Sequence, residues 1–422
     1  MFFALVAATS LLATPAQGAP AAPLAERADA AIARLAPAES HVGVSAVDLA
    51  TGEVVYQHQA HKVFTPASLV KLATSGAALS YLGVQRRFAT KLLVDGPADG
   101  GIVRGALYLR GEGNPMLTAE GLDELARKLR AQGVKTVTGD VVADAGYFAP
   151  DGPGAPGWAW DDLAEPYGAP LSALSLNRNV GTVAMASAPA PGGAPRLAVT
   201  EPARAAAVAL KAALGRHGIQ VHGDIRLGAT PSGARTVAIH QSPPLAEIVR
   251  LMNKDSDNLI AETLVYHVGV RGHGAPGTRE KGLRTLKSFL EHVGWEGTGF
   301  RLEDGSGLST YDALSPAQLT GLLRAMPAET LAYGAYLISL PVGGVDGTLA
   351  RRLESPVVRG RLRAKTGTMS GVSGLAGYMV TDAGRTLAVA IMVNGFVGPA
   401  QRARELQDAL VEVLAGADAG QP

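Results

Sequence analysis

Three short strings, in one order, hold side chains able to break an acyl bond: Ser68-Leu69-Val70-Lys71, Ser256-Asp257-Asn258 and Lys365-Thr366-Gly367. A serine hydroxyl is a poor nucleophile until a base takes its proton. A lysine can be that base only when burial or a nearby cation lowers its pKa. Three positions apart on a helix, Ser68 and Lys71 project from one face and can touch. The chemistry implied is acyl transfer through a serine with a lysine base. Each string alone also has a bland reading: an early-helix Ser with a surface Lys, a polar loop, a solvated basic strand. Ser-x-x-Lys and Lys-Thr-Gly occur once each, but Ser175-Leu176-Asn177 is a second Ser-x-Asn, so order and context must choose.

The elements that position these residues can be read from periodicity. Val42 to Gln57 alternates around Ala50-Thr51-Gly52-Glu53 as a hairpin does. A helix is expected next, capped by Thr65, with Pro66 in its first turn and Leu69, Leu72, Ala73, Gly76, Leu79 and Leu82 on one face until Gly83. Ser68 then sits in the first helical turn, where free N–H groups stabilise negative charge on the carbonyl it attacks. From about 88 to 239 the texture changes to short strand-like pieces between Gly, Pro and Asp turns. This reads as an inserted strand-rich region with a loop, Gly152 to Pro170, that crowds Trp158, Trp160 and Tyr167. Helical spacing returns at Leu245, Ile248, Val249 and Met252 and again from Leu259 to Leu264, which puts Ser256 and Asn258 between two helices, facing a cleft. Ser256 is placed to relay a proton from Lys71 to a leaving amine, and Asn258 to hold a substrate amide.

Arg361 to Thr368 reads as an edge strand on which Lys365 meets a substrate carboxylate, while Gly367 leaves room for substrate backbone as an added strand. Leu375 to Thr381 and Thr386 to Val393 form a second hairpin whose later strand is apolar enough to be central. A final amphipathic helix covers about 401 to 414, with Leu406, Leu410 and Val413 inward.

The 422 residues suffice for a large core and two or more domains. The 38 basic and 37 acidic side chains nearly cancel without long runs, which argues against nucleic acid or an anionic membrane as partner. With no cysteine there is no thiol nucleophile, Cys-based zinc site or disulfide. The nine histidines include no His-Glu-x-x-His pair, and Gly111-Glu112-Gly113-Asn114-Pro115 lacks the third Gly of a dinucleotide loop, so no cofactor or metal is expected. Phe2 to Ala13 is apolar, shorter than the roughly 20 residues that span a bilayer. Small residues follow to Ala19. The expectation is a signal peptide over 1–18, cut near Gly18, and an exported, periplasmic product with no membrane-spanning anchor after cleavage.

On these motifs the chain resembles the penicillin-binding proteins, specifically the D-alanyl-D-alanine carboxypeptidase/endopeptidases of the penicillin-binding protein 4 type. Ser68 and Ser256 are 256 − 68 = 188 positions apart, and a long insert there marks that family. Further strings resemble it too: Gly139 to Asp144, Ala173 to Asn179, Asp304-Gly305-Ser306-Gly307-Leu308-Ser309, Leu340 to Leu349, and Lys365 to Ser373. The second Ser-x-Asn falls inside one of them, in the insert, where a structural role is expected.

The resemblance implies an α+β fold: a beta-lactamase/transpeptidase-like domain, an antiparallel sheet flanked by helices, with an inserted strand-rich region. The expected division is 19–87 and 241–416 for the catalytic domain, 88–240 for the insert and 417–422 for a tail. It also implies that Ser68 is acylated by the penultimate D-alanine of a peptidoglycan stem peptide and by beta-lactam antibiotics. The backbone N–H groups of Ser68 and Thr368 would form the oxyanion hole, and Thr366 and Thr368 would help Lys365 hold the substrate carboxylate. Asp162, on the tryptophan loop, is the nearest match to an acidic group that grips the free amine of a diamino acid. Where the family has longer polar residues near the other motifs, this chain has Thr310 and Ser370. A serine beta-lactamase is the rival reading, but the chain has no Glu-x-x-Leu-Asn and no Tyr-x-Asn. A non-catalytic sensor would be expected to lack a motif, and none is missing.

Overall fold

The structure is a computed structural model that describes residues 22–182, 196–295 and 299–417. The expected signal peptide, 1–18, lies outside the described residues, as does all but the first residue of the tail.

The body opens with α1 (Leu24–Leu35), which buries Ala28, Ala31 and Ile32. β1 (His41–Asp48) and β2 (Val54–His58) make the expected antiparallel hairpin. Asp48 Oδ1 closes its turn by accepting from the N–H of Ala50 (2.9 Å) and Thr51 (2.8 Å). α2 (Val70–Leu82) ends at Gly83, φ +84, as expected, but its start differs. Thr65 does not cap it. A 3-10 turn, Ala67–Leu69, leads in, and Ala67 at φ +48 swings the chain off the helix axis before Thr65 can reach a free N–H. Ser68 thus stands on that turn, just ahead of the α-helix. α2 has no exposed stripe: every residue from Val70 to Leu79 is buried, because helices and sheet surround it.

The inserted stretch carries β3 (Ala89–Val94) and β4 (Leu107–Gly111), then α3 (Ala119–Ala131), β5 (Val141–Asp144), α4 (Pro202–Arg216), β6 (Ile225–Leu227) and β7 (Arg235–Gln241). Its main sheet runs β6-β5-β4-β3-β7, with β5 parallel to both neighbours and β3 antiparallel to both of its own. The two helices were not anticipated. Their signals exist in Thr118, which caps α3, and in the spacing of Leu122, Leu125 and Leu129 beside Ala206, Leu210 and Leu214. Together they close a core of their own over the sheet.

The chain returns through α5 (Leu245–Asp255), α6 (Asn258–His273), α7 (Arg279–His292), α8 (Pro316–Ala325) and α9 (Thr330–Ser339). β8 (Leu362–Met369), β9 (Val372–Val380), β10 (Thr386–Asn394) and α10 (Gln401–Ala415) complete it. The five-stranded antiparallel sheet runs β8-β9-β10-β1-β2, so β10 is central as its apolar run implied, and β8 is an edge. Alternation divides its side chains between two cores. Ala376, Tyr378, Ala388, Ala390 and Met392 face the helical lobe around α2, whereas Leu375, Met379, Leu387, Val389 and Ile391 face α1 and α10. In α10 the inward residues are Leu406, Leu410, Val411 and Leu414, and Val413 lies at the margin. No helix among the described residues is long and apolar enough to cross a membrane.

Candidate active site

The burial of α2 decides the state of its lysine. Lys71 is 0% exposed, and its Nζ reaches Ser68 Oγ (2.9 Å), Asn258 Oδ1 (2.7 Å) and the Ser306 carbonyl (2.6 Å). Desolvation pulls its pKa down to about 8, against opposing fields of which that of Asp304 is the largest. The first and second strings therefore meet on one amine although 187 positions separate Lys71 from Asn258.

Ser256 is the left-handed residue (φ +60) that ends α5, and Asp257 caps α6 by accepting from the Ile260 N–H (2.9 Å). The reversal presents Ser256 and Asn258 to a cleft of about 590 Å3, which Met116, Tyr167 and Arg178 also wall. Ser256 Oγ accepts from Lys365 Nζ (2.9 Å), not from Lys71. Lys365 is wholly buried and also donates to the Thr366 carbonyl (2.8 Å). Burial, and after it the Lys71 charge, holds its pKa well below the usual lysine range. Thr366 Oγ1 hydrogen-bonds Thr348 Oγ1 (2.7 Å).

Segment 341–343 covers the first part of the β8 edge: Ala364 N–H donates to Pro341 O, and Gly343 N–H to Leu362 O, each at 2.9 Å. Since the backbone N–H and C=O groups of even-numbered residues there point away from β9, strand alternation also turns the N–H of Thr368 outward, beyond the covered part. Gly367 has a packing role that the sequence did not suggest. A Cβ on it would lie 2.8 Å from Pro66 O and 3.2 Å from Ser68 N, so its bare face admits the serine turn.

Two loops complete the site. Asp304 is 0% exposed and folds its own loop, accepting from the N–H of Ser306 (3.1 Å), Gly307 (2.6 Å) and Ser309 (2.8 Å) and from Trp158 Nε1 (2.8 Å). That loop supplies the Ser306 carbonyl to Lys71. Asp162 lies on the short turn after the tryptophans, where its carboxylate accepts from Tyr167 OH (2.8 Å) and raises that phenol to about 12. Tyr167 O in turn accepts from Asn258 Nδ2 (3.0 Å), so two hydrogen bonds and one residue join Asp162 to the second string. Thr310 is tied to Gly157 O (3.0 Å), and Ser370 lies exposed in the turn after β8.

The decoy Ser175 is buried and donates to Ser172 O (2.8 Å). Its string nevertheless supports the site, because Arg178 Nε stands 2.8 Å from Asp257 Oδ2 as a close ion contact, not an aligned hydrogen bond. Sequence reasoning assigned no role to Asp304, Ser306, Arg178, Tyr167 or Thr348. For the first two a signal existed: an Asp opening a Gly- and Ser-rich run is an Asx-turn pattern.

The serine turn packs on this loop at one glycine. Gly307 has φ +77, and a Cβ on it would stand 1.9 Å from Ala67 O. Gly307→Ala pays left-handed strain of about 1–3 kcal/mol and must displace the turn that carries Ser68. The melting temperature is expected to fall by about a few degrees; an unchanged midpoint by scanning calorimetry would show that the turn tolerates the shift.

Known proteins are similar to this chain in sequence and fold. The D-Ala-D-Ala carboxypeptidase 3 (S13) family profile matches residues 24–199 and 193–417. A D-alanyl-D-alanine carboxypeptidase of Actinomadura sp. (strain R39) is 35% identical over 97% of this chain and 88% of its own length. The carboxypeptidase DacB of Haemophilus influenzae is 28% identical over 85% of this chain and 86% of its own. The crystal structure of penicillin binding protein 4 from that organism superposes with a TM-score of 0.84 at 25% identity, covering 92% of this chain and 99% of the other. Profile, sequence and α+β fold agree over the whole described body, and the chain belongs to the D-Ala-D-Ala carboxypeptidase 3 (S13) family of hydrolases.

Proposed function

We propose that the chain is an exported serine D,D-peptidase of peptidoglycan, acting through an acyl-enzyme on Ser68. The observation that carries this reading is the Lys71 amine, fully buried, with a pKa lowered to about 8 and 2.9 Å from Ser68 Oγ. As the neutral amine it gives its two hydrogens to Asn258 Oδ1 and Ser306 O, and its lone pair faces the Ser68 hydroxyl. It takes the Ser68 proton while Oγ attacks the carbonyl of the penultimate D-alanine. The oxyanion is received by the N–H groups of Ser68 and Thr368. Ser256 passes the proton from Lys71 to the leaving nitrogen, for which its hydroxyl must turn from Lys365. Water then cleaves the ester and Ser68 regains its hydrogen.

Lys365, Thr366 and Thr368 hold the substrate's terminal carboxylate, which supplies the counter-charge that Lys365 lacks in its buried position. A beta-lactam presents the same carbonyl and carboxylate, so it acylates Ser68 and is released slowly. Two solved structures support this: one of penicillin binding protein 4 from Haemophilus influenzae holds a beta-lactam, and one from Bdellovibrio bacteriovorus is of a predatory peptidoglycan endopeptidase. We extend the activity to cross-links, with Asp162 receiving the free amine of the diamino acid and Asn258 the peptide amide through its remaining N–H. The catalytic body is assigned to 19–87 and 241–416 and the insert to 88–240, with the leader 1–18 directing export to the periplasm.

Purified protein is expected to bind fluorescent penicillin covalently at Ser68 and to release D-alanine from a pentapeptide; labelling that survives Ser68→Ala would falsify the assignment. Since the active form of Lys71 is the neutral one, the acylation rate should rise with pH through an apparent pKa near 8. A flat profile from pH 6 to 10 would remove Lys71 as the base. Asp162→Ala should slow turnover of stem peptides that carry a free side-chain amine more than of those without one, and equal effects on both, measured by chromatography of the products, would sink that role.

A further inference from the structure

Behind the catalytic lysine lie carboxyl groups that the mechanism above does not use. Asp304 and Asp312 are 0% and 1% exposed, and the two are hydrogen-bonded to each other. Their surroundings differ. Asp304 accepts from three backbone N–H groups, the Trp158 indole and, at 3.3 Å, the Ser306 hydroxyl, the donor set of an ionised carboxylate. Asp312 accepts only from the Glu303 N–H (2.6 Å) through Oδ1, and its Oδ2 meets no protein donor among the described residues. One carboxyl group can bond to another only if one of them carries a proton, and two adjacent buried carboxylates cannot both ionise cheaply.

We infer that Asp312 is a buried neutral acid donating its proton to Asp304, and that this singly charged pair is a positioning device for the catalytic base, holding the loop whose Ser306 carbonyl receives Lys71. The other charged groups agree in sign. Lys71 faces the pair from α2 and is drawn toward its charged form by Asp304. From α6 come Glu262, which accepts from the Gly305 N–H (2.9 Å), and the capping residue Asp257; Arg279 of α7 answers the Glu262 charge. Burial first, and Asp304 second, push Asp312 up to about 10 and Glu262 to about 7. The same Asp304 holds Trp158 (2.8 Å), so the pair also locks the tryptophan loop of the insert to the acceptor of Lys71.

A neutral acid and an amide donate the same hydrogen bond, which separates this reading from an ionised Asp312. With Asp312→Asn, acylation by a fluorescent penicillin should stay within about threefold of wild type and the acid limb of its pH profile within about 0.3 unit. Asp312→Ala, which leaves Asp304 without that donor, should lose about tenfold or more. Asp304→Asn should move the limb downward by about one unit, because a negative charge that favoured the Lys71 ammonium is gone. The acylation arm rests on the Ser68 reading, so an arm independent of activity accompanies it: infrared spectroscopy at pH 7 should show a protonated carboxyl band that Asp312→Asn removes. Absence of that band, or a limb displaced by Asp312→Asn as far as by Asp304→Asn, overturns the inference.

Discussion

Everything at this site depends on keeping one amine out of water. An ammonium withdrawn from solvent loses several kilocalories of hydration that a protein recovers only with well-aimed acceptors, and α2 imposes that withdrawal by running through the middle of the helical lobe. The three acceptors come from three places: the serine turn, the first residue of α6 and the loop after Asp304. The balance is poised, because burial lowers the lysine while nearby carboxylates, Asp304 foremost, pull it back. A surface lysine would keep its proton and could take none from Ser68.

Close backbone packing follows from the same demand. Ala67 and Ser256 both occupy left-handed backbone conformations without being glycine, and both flank the reactive hydroxyls. Such strain persists only where the surroundings fix it. Here Gly307 and Gly367 supply the fit, letting a loop and an edge strand approach the serine turn to distances that any side chain would forbid. The insert is fastened to the same spot. Trp158 holds Asp304, Tyr167 holds Asn258 and Arg178 stands against Asp257, so these three contacts end at or beside the residues around Lys71. The insert therefore forms part of the site's wall, and Asp162 is carried by that wall.

Much of this was legible in the chain. The three strings, their order and the long gap after the first named the chemistry, because a lysine-activated serine needs those residue types and few others do. Hairpin turns and the apolar run of β10 were equally readable, since strand alternation and turn chemistry are local. α3, α4 and the helices α7 to α9 went unread, because short apolar spacings between Gly and Pro fit strand and helix patterns alike.

What only the tertiary structure decided is which hydroxyl each lysine serves and in what charge state. The sequence pairs Lys71 with Ser256 in a relay; in the fold Ser256 accepts from Lys365, so the relay requires its hydroxyl to turn, and Lys71 is held by Ser68, Asn258 and a carbonyl outside the three strings. It placed Gly367 against substrate, and the fold packs it against the serine turn as well. Both outcomes depend on approaches between residues far apart in the chain, and on desolvation by neighbours from several helices. A motif records the identity of a group; its pKa and its partner are properties of the space around it, which exists only once the chain has closed on itself.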